Sequence, residues 1–303
     1  MQTLIKVDIQ PIRTFLRKLI SRSSTPKAMQ WLDEEIGKMN SERWEHSAYR
    51  TFSMIPRMVG KTEVQLNSQD SQTANELRSG WTISGWTIDR FARVYVILSL
   101  PIENFPLYVK TLNALFSAAD VSELVALYSA LPLLPHPEEF RLRAAEGIRT
   151  NMTVVFDAIA LQNPYPADYL DESAWNQMTL KAVFIGRPLY KIYGLDRRNN
   201  LHLARMLSDY AHERWAANRT VTPEVWRLIA PFLTTGEDRF LSDLKRVIND
   251  SDHIQQEAAA LAIYQSKAPS AQSLLAAKKD LQPRISANTI TWQSIAEQWH
   301  AGK

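Results

Sequence analysis

The sequence predicts an all-α fold, and three observations predict it. Glycine is scarce, at 9 of 303 residues, so few positions invite the positive φ of tight hairpin turns. Apolar residues recur with the period of a helix, and runs of strict alternation are few. Helix-start signals are repeated along the chain. Pro26 follows Thr25, as a first-turn proline behind an N-cap. Asp120 with Glu123, and Asp252 with Gln255, have the spacing of a capping box, in which two side chains satisfy orphan N–H groups reciprocally. Thr222 before Pro223 and Glu224 marks a further start.

The repeat type is read from the C-terminal third. Phe240, Leu241, Leu244, Val247 and Ile248 form a helical stripe. A turn follows at Asn249–Asp252, and then Ile254, Ala258, Leu261 and Ala262 form a second stripe, with small residues at Ala258–Ala260. Helix, short Asp-containing turn and alanine-rich helix is the pattern of a HEAT-type unit, and Val221–Leu233 pairs similarly with its neighbours. The expected architecture is a single all-α domain over residues 1–303, of the helical-repeat kind (HEAT-like, an α/α superhelix). Residues 62–84, polar and turn-rich, read as a long loop between N-terminal helices and the main helical body. Prolines in LPLLPHP (Leu131–Pro137) and NPYPA (Asn163–Ala167) break helices, and Pro188 and Gly194 frame a connection over Gly186–Asp196.

Composition narrows the function classes. A chain with 45% hydrophobic and 22% charged residues has ordinary globular usage and is long enough to bury a large core without staples. Cysteine is absent, which excludes thiol nucleophiles, thiolate zinc sites and iron–sulfur ligation. Thirty-five basic against 32 acidic residues is a near balance, so no nucleic-acid partner is expected. The apolar residues of the N-terminus are interrupted by Lys6, Asp8, Arg13, Arg17 and Lys18, so no secretory signal is expected. No run reaches the roughly 18 apolar residues of a transmembrane helix, and a cytoplasmic location is the expectation.

The block from Arg141 to Arg219 is polar and rich in aromatic residues. A helix is predicted over Arg141–Asp157, with Arg143, Glu146, Thr150, Thr153 and Asp157 on one face and Arg149 and Asn151 flanking it. Gly147 within it costs about 1 kcal/mol against alanine, explained either by close packing or by room for a ligand. A second helix over Asp171–Ile185 carries Asn176, Gln177, Thr179 and Lys181 as polar members. A third, over Asn199–Trp215, is apolar on two sides, and its remaining face carries His202, Arg205, Asp209 and His212, with Glu213 nearby. Polar residues on a central helix must pair internally or line a cavity. The candidate ligand-binding residues are therefore Glu146, Arg149, Asn151, Asn176, Lys181, Arg205, Asp209, His212 and Arg214.

Specific chemistries find little support. Asp209, His212 and Glu213 share helical spacing for one metal, but an internal network of ion pairs is the preferred reading, and no metal or cofactor is expected. His212-Glu213 is followed by Arg214, Trp215 and Ala216, so there is no HExxH. Glu146 and Asp157 as an acid/base pair give way to surface charges. Neither a nucleophile elbow nor a phosphate-binding glycine loop occurs. Arg149, Lys181, Arg205 and Arg214, if convergent, would suit a phosphate or carboxylate; pairing with Glu146, Asp157, Asp209 or Glu213 is the preferred alternative.

LPLLPHPEEF (Leu131–Phe140), AAEGIRTNMTVVFDAIALQNPYPADY (Ala144–Tyr169), AWNQMTLKAVFIG (Ala174–Gly186), LARMLSDYAHERWAANR (Leu203–Arg219) and PEVWRLIAPF (Pro223–Phe232) together resemble the EboA family. The resemblance runs from about Trp31 to near Trp292 and is weakest across Thr62–Trp81. It implies a product of a bacterial secondary-metabolite gene cluster that, in cyanobacteria, is tied to moving a pigment precursor out of the cytoplasm. It supplies no catalytic residues. The expected function is a non-enzymatic accessory protein, with a small-molecule metabolite or a partner protein of the same cluster as its partner. The alternative is a helical enzyme of that pathway, acting on a phosphorylated or prenylated intermediate at a central polar pocket.

Overall fold

The computed structural model describes residues 7–39, 44–235 and 238–301. Residues 1–6, which include Lys6 of the run read against a secretory signal, lie outside the described residues. Among the described residues the fold is all-α: helices and short 3-10 turns without strands, and one isolated antiparallel bridge between Glu63 and Thr87. Where a single domain is expected, the chain groups into two compact units, Met1–Leu170 and Asp171–Lys303.

The first unit holds α1 (Ile9–Ser23), α2 (Pro26–Lys38), α3 (Trp44–Val59), α4 (Ser68–Leu77), α5 (Ile88–Ile97), α6 (Phe105–Ala118), α7 (Val121–Ala130), α8 (Arg141–Arg149), α9 (Thr153–Ala160) and α10 (Tyr165–Tyr169). Helix α5, IDRFARVYVI, is apolar on nearly every side and is buried along its length except at Arg90. It packs on α1, α3 and α7, and α7 packs on α9. Each large apolar side chain enclosed there contributes about 1.5–3 kcal/mol. An aromatic column, Phe15–Trp81–Trp86–Phe91, runs alongside with ring centroids 5.1–6.4 Å apart.

Two arginines are sealed into this core. Arg93 is 1% exposed; its Nη1 lies 2.6 Å from Asp89 Oδ2, one helical turn back, and its Nε donates to the Phe52 carbonyl. Arg78 donates from Nη2 to Asp168 at 2.6 Å and from Nε to the Pro132 carbonyl at 3.1 Å. The latter bonds fasten the end of α4 to the proline-broken corner and to α10. Buried guanidinium groups persist because their charge and donors are matched in this way.

Three local expectations meet corrections or refinements. The segment expected as a loop, residues 62–84, contains α4. Asn67 and Asp70 form a full capping box at its start, and Ala74 is fully buried; the caps, not an apolar stripe, set these ten largely polar residues into a helix. The helix expected over Arg141–Asp157 is two helices. Thr150 is extended (ψ 148°) and its Oγ1 accepts from Met152 N at 3.2 Å, which starts α9 afresh. Gly147 is explained by packing: a Cβ there would stand 2.6 Å from the Tyr128 ring.

The second unit holds α11 (Glu172–Phe184), α12 (Leu201–Ala216), α13 (Val225–Ile229), α14 (Asp238–Val247), α15 (His253–Ser266), α16 (Pro269–Ala276), α17 (Leu281–Ser286) and α18 (Trp292–Ala301). Helix α15 is its centre and packs on α13, α14, α16, α17 and α18. Ala258, Ala259, Ala260 and Ala262 are all buried, and their small side chains let several helices approach one axis. The Asp120–Glu123 capping box forms at α7, and Thr25 caps α2. Asp252 caps α15 by accepting from Ile254 N, but Gln255 is not its box partner. The Gln255 amide instead accepts from Trp226 Nε1 and donates to the Val221 carbonyl.

Candidate functional site

Helices α12 and α14 meet along a polar seam in the second unit. Ser208, Asp209 and His212 come from α12 at helical spacing, and Arg239 and Asp243 come from α14 four residues apart, so each set shares a face. Asp243 is 2% exposed. Its Oδ2 accepts from Ser208 Oγ at 2.7 Å, and its Oδ1 lies 2.7 Å from His212 Nε2. Asp209 Oδ1 accepts from Arg239 Nη1 at 2.7 Å, and Arg239 Nη2 reaches the Arg205 carbonyl at 3.3 Å.

The seam continues into an aromatic stack. The His212 ring stands edge-on to Trp215 with centroids 5.3 Å apart, Trp215 stacks on the fully buried Trp226 at 5.7 Å, and Arg246 lies 4.1 Å over the Trp215 ring. An exposed imidazole is thus tied to the core on two sides: through a buried carboxylate and through stacked indoles.

The order of groups limits the chemistry. In a nucleophile triad the imidazole stands between hydroxyl and carboxylate and takes the hydroxyl proton. Here the carboxylate stands between Ser208 and His212, and Ser208 is fully buried. The arrangement orients an imidazole but does not activate a serine. Among the described residues, no three His, Asp or Glu side chains gather to hold a metal ion.

The other sequence candidates fall in two places. Glu146, Arg149 and Asn151 belong to the first unit; Glu146 pairs with Arg143 at 2.9 Å, and Arg149 and Asn151 are exposed. Asn176, Lys181, Arg205 and Arg214 belong to the second. Asn176 is buried and exchanges two amide hydrogen bonds with Asn200, at 2.8 and 3.2 Å. Lys181 is partly buried, which lowers its pKa. Arg205 is exposed, and Arg214 Nε donates to the Thr220 carbonyl at 3.0 Å beyond the end of α12.

Sequence reasoning missed Ser208, Asp243, Arg239 and Glu224. Asp243 carried a readable signal, since it lies beside Leu244 and three residues from Phe240, on the buried stripe of α14. Glu224, read as a helix start, is 1% exposed and accepts from Leu189 N at 2.9 Å and Tyr190 N at 2.6 Å. Burial pushes its carboxyl up to about 7, against the pull of those two donors.

A family model described as "Metabolite traffic protein EboA" matches residues 12–230. The chain belongs to the EboA family. Searches of curated proteins and of solved structures returned no match. The EboA match includes Ser208, Asp209 and His212 and stops short of Arg239 and Asp243, so the α12 half of the seam lies within the matched region and the α14 half beyond it. Among the described residues no helix is long and apolar enough to cross a membrane.

Proposed function

We propose that this chain is a non-enzymatic accessory protein of a bacterial secondary-metabolite (ebo-type) gene cluster. It binds a small-molecule precursor or a partner protein and supports export of that precursor from the cytoplasm. The observation that carries the reading is the pairing of Asp209 and His212, the expected ionisable site residues of α12, with Arg239 and Asp243 of α14. Groups held this way fix two helices together, through Arg239 and Asp243, which are not among the partners the sequence offered. The family's description as a metabolite traffic protein supports the same reading. Stacking of helical pairs such as α14–α15 in a HEAT-like manner would give the chain a ligand- or partner-binding surface.

One observation favours the enzyme alternative: the His212 side chain is 57% exposed with a buried carboxylate behind it, a geometry that suits proton transfer. The test is native mass spectrometry of the full chain after exposure to a small-molecule extract of cells carrying the cluster. The expected result is one metabolite held stoichiometrically and released with its mass unchanged, or a co-purifying protein of the same cluster. Release of a chemically altered molecule would overturn the accessory reading.

A further inference from the structure

Arg90 is the one residue of α5 that is not fully buried, and it lines a surface cavity of about 530 Å³ in the first unit. The cavity lies between the starts of α5 and α7 and the first turn of α9, within the 300–1,000 Å³ of small-molecule sites. The Arg90 guanidinium rests 4.2 Å over the Trp86 ring, and its Nε and Nη2 donate to Ser129 Oγ at 2.9 and 2.5 Å. Those contacts fix its plane. Among the described residues no carboxylate stands within ion-pairing distance of it, and its Nη1 has no acceptor. Arg93, three residues on, has both.

Both acids at the cavity wall already hold a partner, although Asp89 Oδ1 is buried without one. Asp89 holds Arg93, and Asp120 caps α7, accepting from Glu123 N and Ser122 Oγ at 2.8 Å each. Their negative charges remain at the wall and would repel a dianion. The rest of the lining is three valines with Gly85, Thr87 and Ser122. Val121 and Val154 are 44% and 55% exposed at the rim, with Val125 beside them. Single exposed valines are ordinary; here two share a rim with a guanidinium that has donors to spare.

We infer that this cavity binds a small apolar molecule through a carbonyl oxygen, neutral or singly charged, which accepts from Arg90 Nη1 while the valines cover its body. The proposal rests on the metabolite-binding reading and gives that ligand a place and a chemical class. A phosphate ester is disfavoured by Asp89 and Asp120, and an ammonium cannot accept from the Arg90 guanidinium and is repelled by its like charge.

The full chain, labelled at valine methyls and arginine Nε, is titrated with octanoate, octanamide, octylamine and octyl phosphate and followed by NMR. Octanoate and octanamide are expected to shift the methyls of Val121, Val125 and Val154 together with the Arg90 Nε–H signal. Octylamine is expected to leave them in place, and octyl phosphate to bind more weakly than octanoate. Arg90→Met is expected to weaken octanoate by about tenfold or more, the scale of one charge-assisted contact. Equal response to octylamine, tighter binding of octyl phosphate, or unchanged octanoate affinity in Arg90→Met overturns the proposal. Should Arg90→Met fail to fold, Val154→Glu at the exposed rim is expected to weaken octanoate more than octanamide; equal effects on both overturn it as well. Silence of all four probes alongside an intact metabolite complex from cell extract sinks this site and leaves the function standing. Chemical turnover of the extracted metabolite sinks the function and leaves the site.

Discussion

The core of the first unit and the α12–α14 seam of the second both use ion pairs, but in different ways. Around α5, Arg93 and Asp89 are almost completely enclosed, and Arg78 and Asp168 are likewise. At the seam only one partner of the His212–Asp243 pair is buried, while Asp209 and Arg239 are both substantially exposed. An enclosed pair is costly to break because its survivor has no water to turn to. An exposed pair is nearly neutral, because solvent replaces the lost partner. The difference separates residues that hold the fold from residues that trim one helix against another.

The largest expected effect comes from breaking the enclosed pair. Arg93→Met leaves Asp89 buried and uncompensated and should lower stability by about 3–5 kcal/mol in urea denaturation. Adding Asp89→Leu should recover part of that loss, since two apolar groups replace two charges. A double variant no more stable than Arg93→Met alone would contradict the assignment.

Glu224 gives a pH test of nearly the same size within the second unit. Its folded pKa of about 7 lies above the ordinary carboxyl value near 4.3. The folded state therefore holds its proton where the unfolded state has lost it. The resulting stability is fully present below about pH 4 and is lost as pH rises through 7, by about 4 kcal/mol in all. Glu224→Gln removes the titration. The stability advantage of the native protein over this variant should be larger at pH 5 than at pH 8, and a constant difference would refute the shift.

Next in size is Gly147→Ala. In an open helix this exchange stabilises by about 1 kcal/mol. Here the added Cβ would meet the Tyr128 ring, so a net loss of about 1–3 kcal/mol is expected from overpacking. The sign of the change in melting temperature decides it. The smallest effects belong to the seam's outer pair: Asp209→Asn should cost under about 1 kcal/mol, shrinking further in added salt. A loss as large as that of Arg93→Met would erase the contrast between the two regions.

How much of this was legible in the sequence follows from range. Glycine scarcity, helical period and the caps at Thr25 and Asp120 are local signals, and the structure contains the helices they announce. Helices α11 and α12 fall within two residues of their expected ends. The break at Thr150 was missed because one threonine turning its hydroxyl to a backbone N–H interrupts an otherwise continuous helical period. At the site, periodicity placed Asp209 and His212 on one polar face but could not say what that face meets. Their partners, Arg239 and Asp243, lie 30 and 31 residues away, and only folding joins them. Arg90 was not singled out for a related reason: its lack of a carboxylate is a property of its surroundings, not of its neighbours in sequence.

The most direct test of the central claim compares native protein with His212→Ala. Each is incubated with isoprenoid diphosphates, sugar phosphates and the cell-extract metabolite, and both complex and products are measured by mass spectrometry. The account predicts that both proteins hold the metabolite equally well and return every compound unchanged. Product formed by the native protein and abolished in His212→Ala would contradict it and make the exposed imidazole on its buried carboxylate a catalytic group.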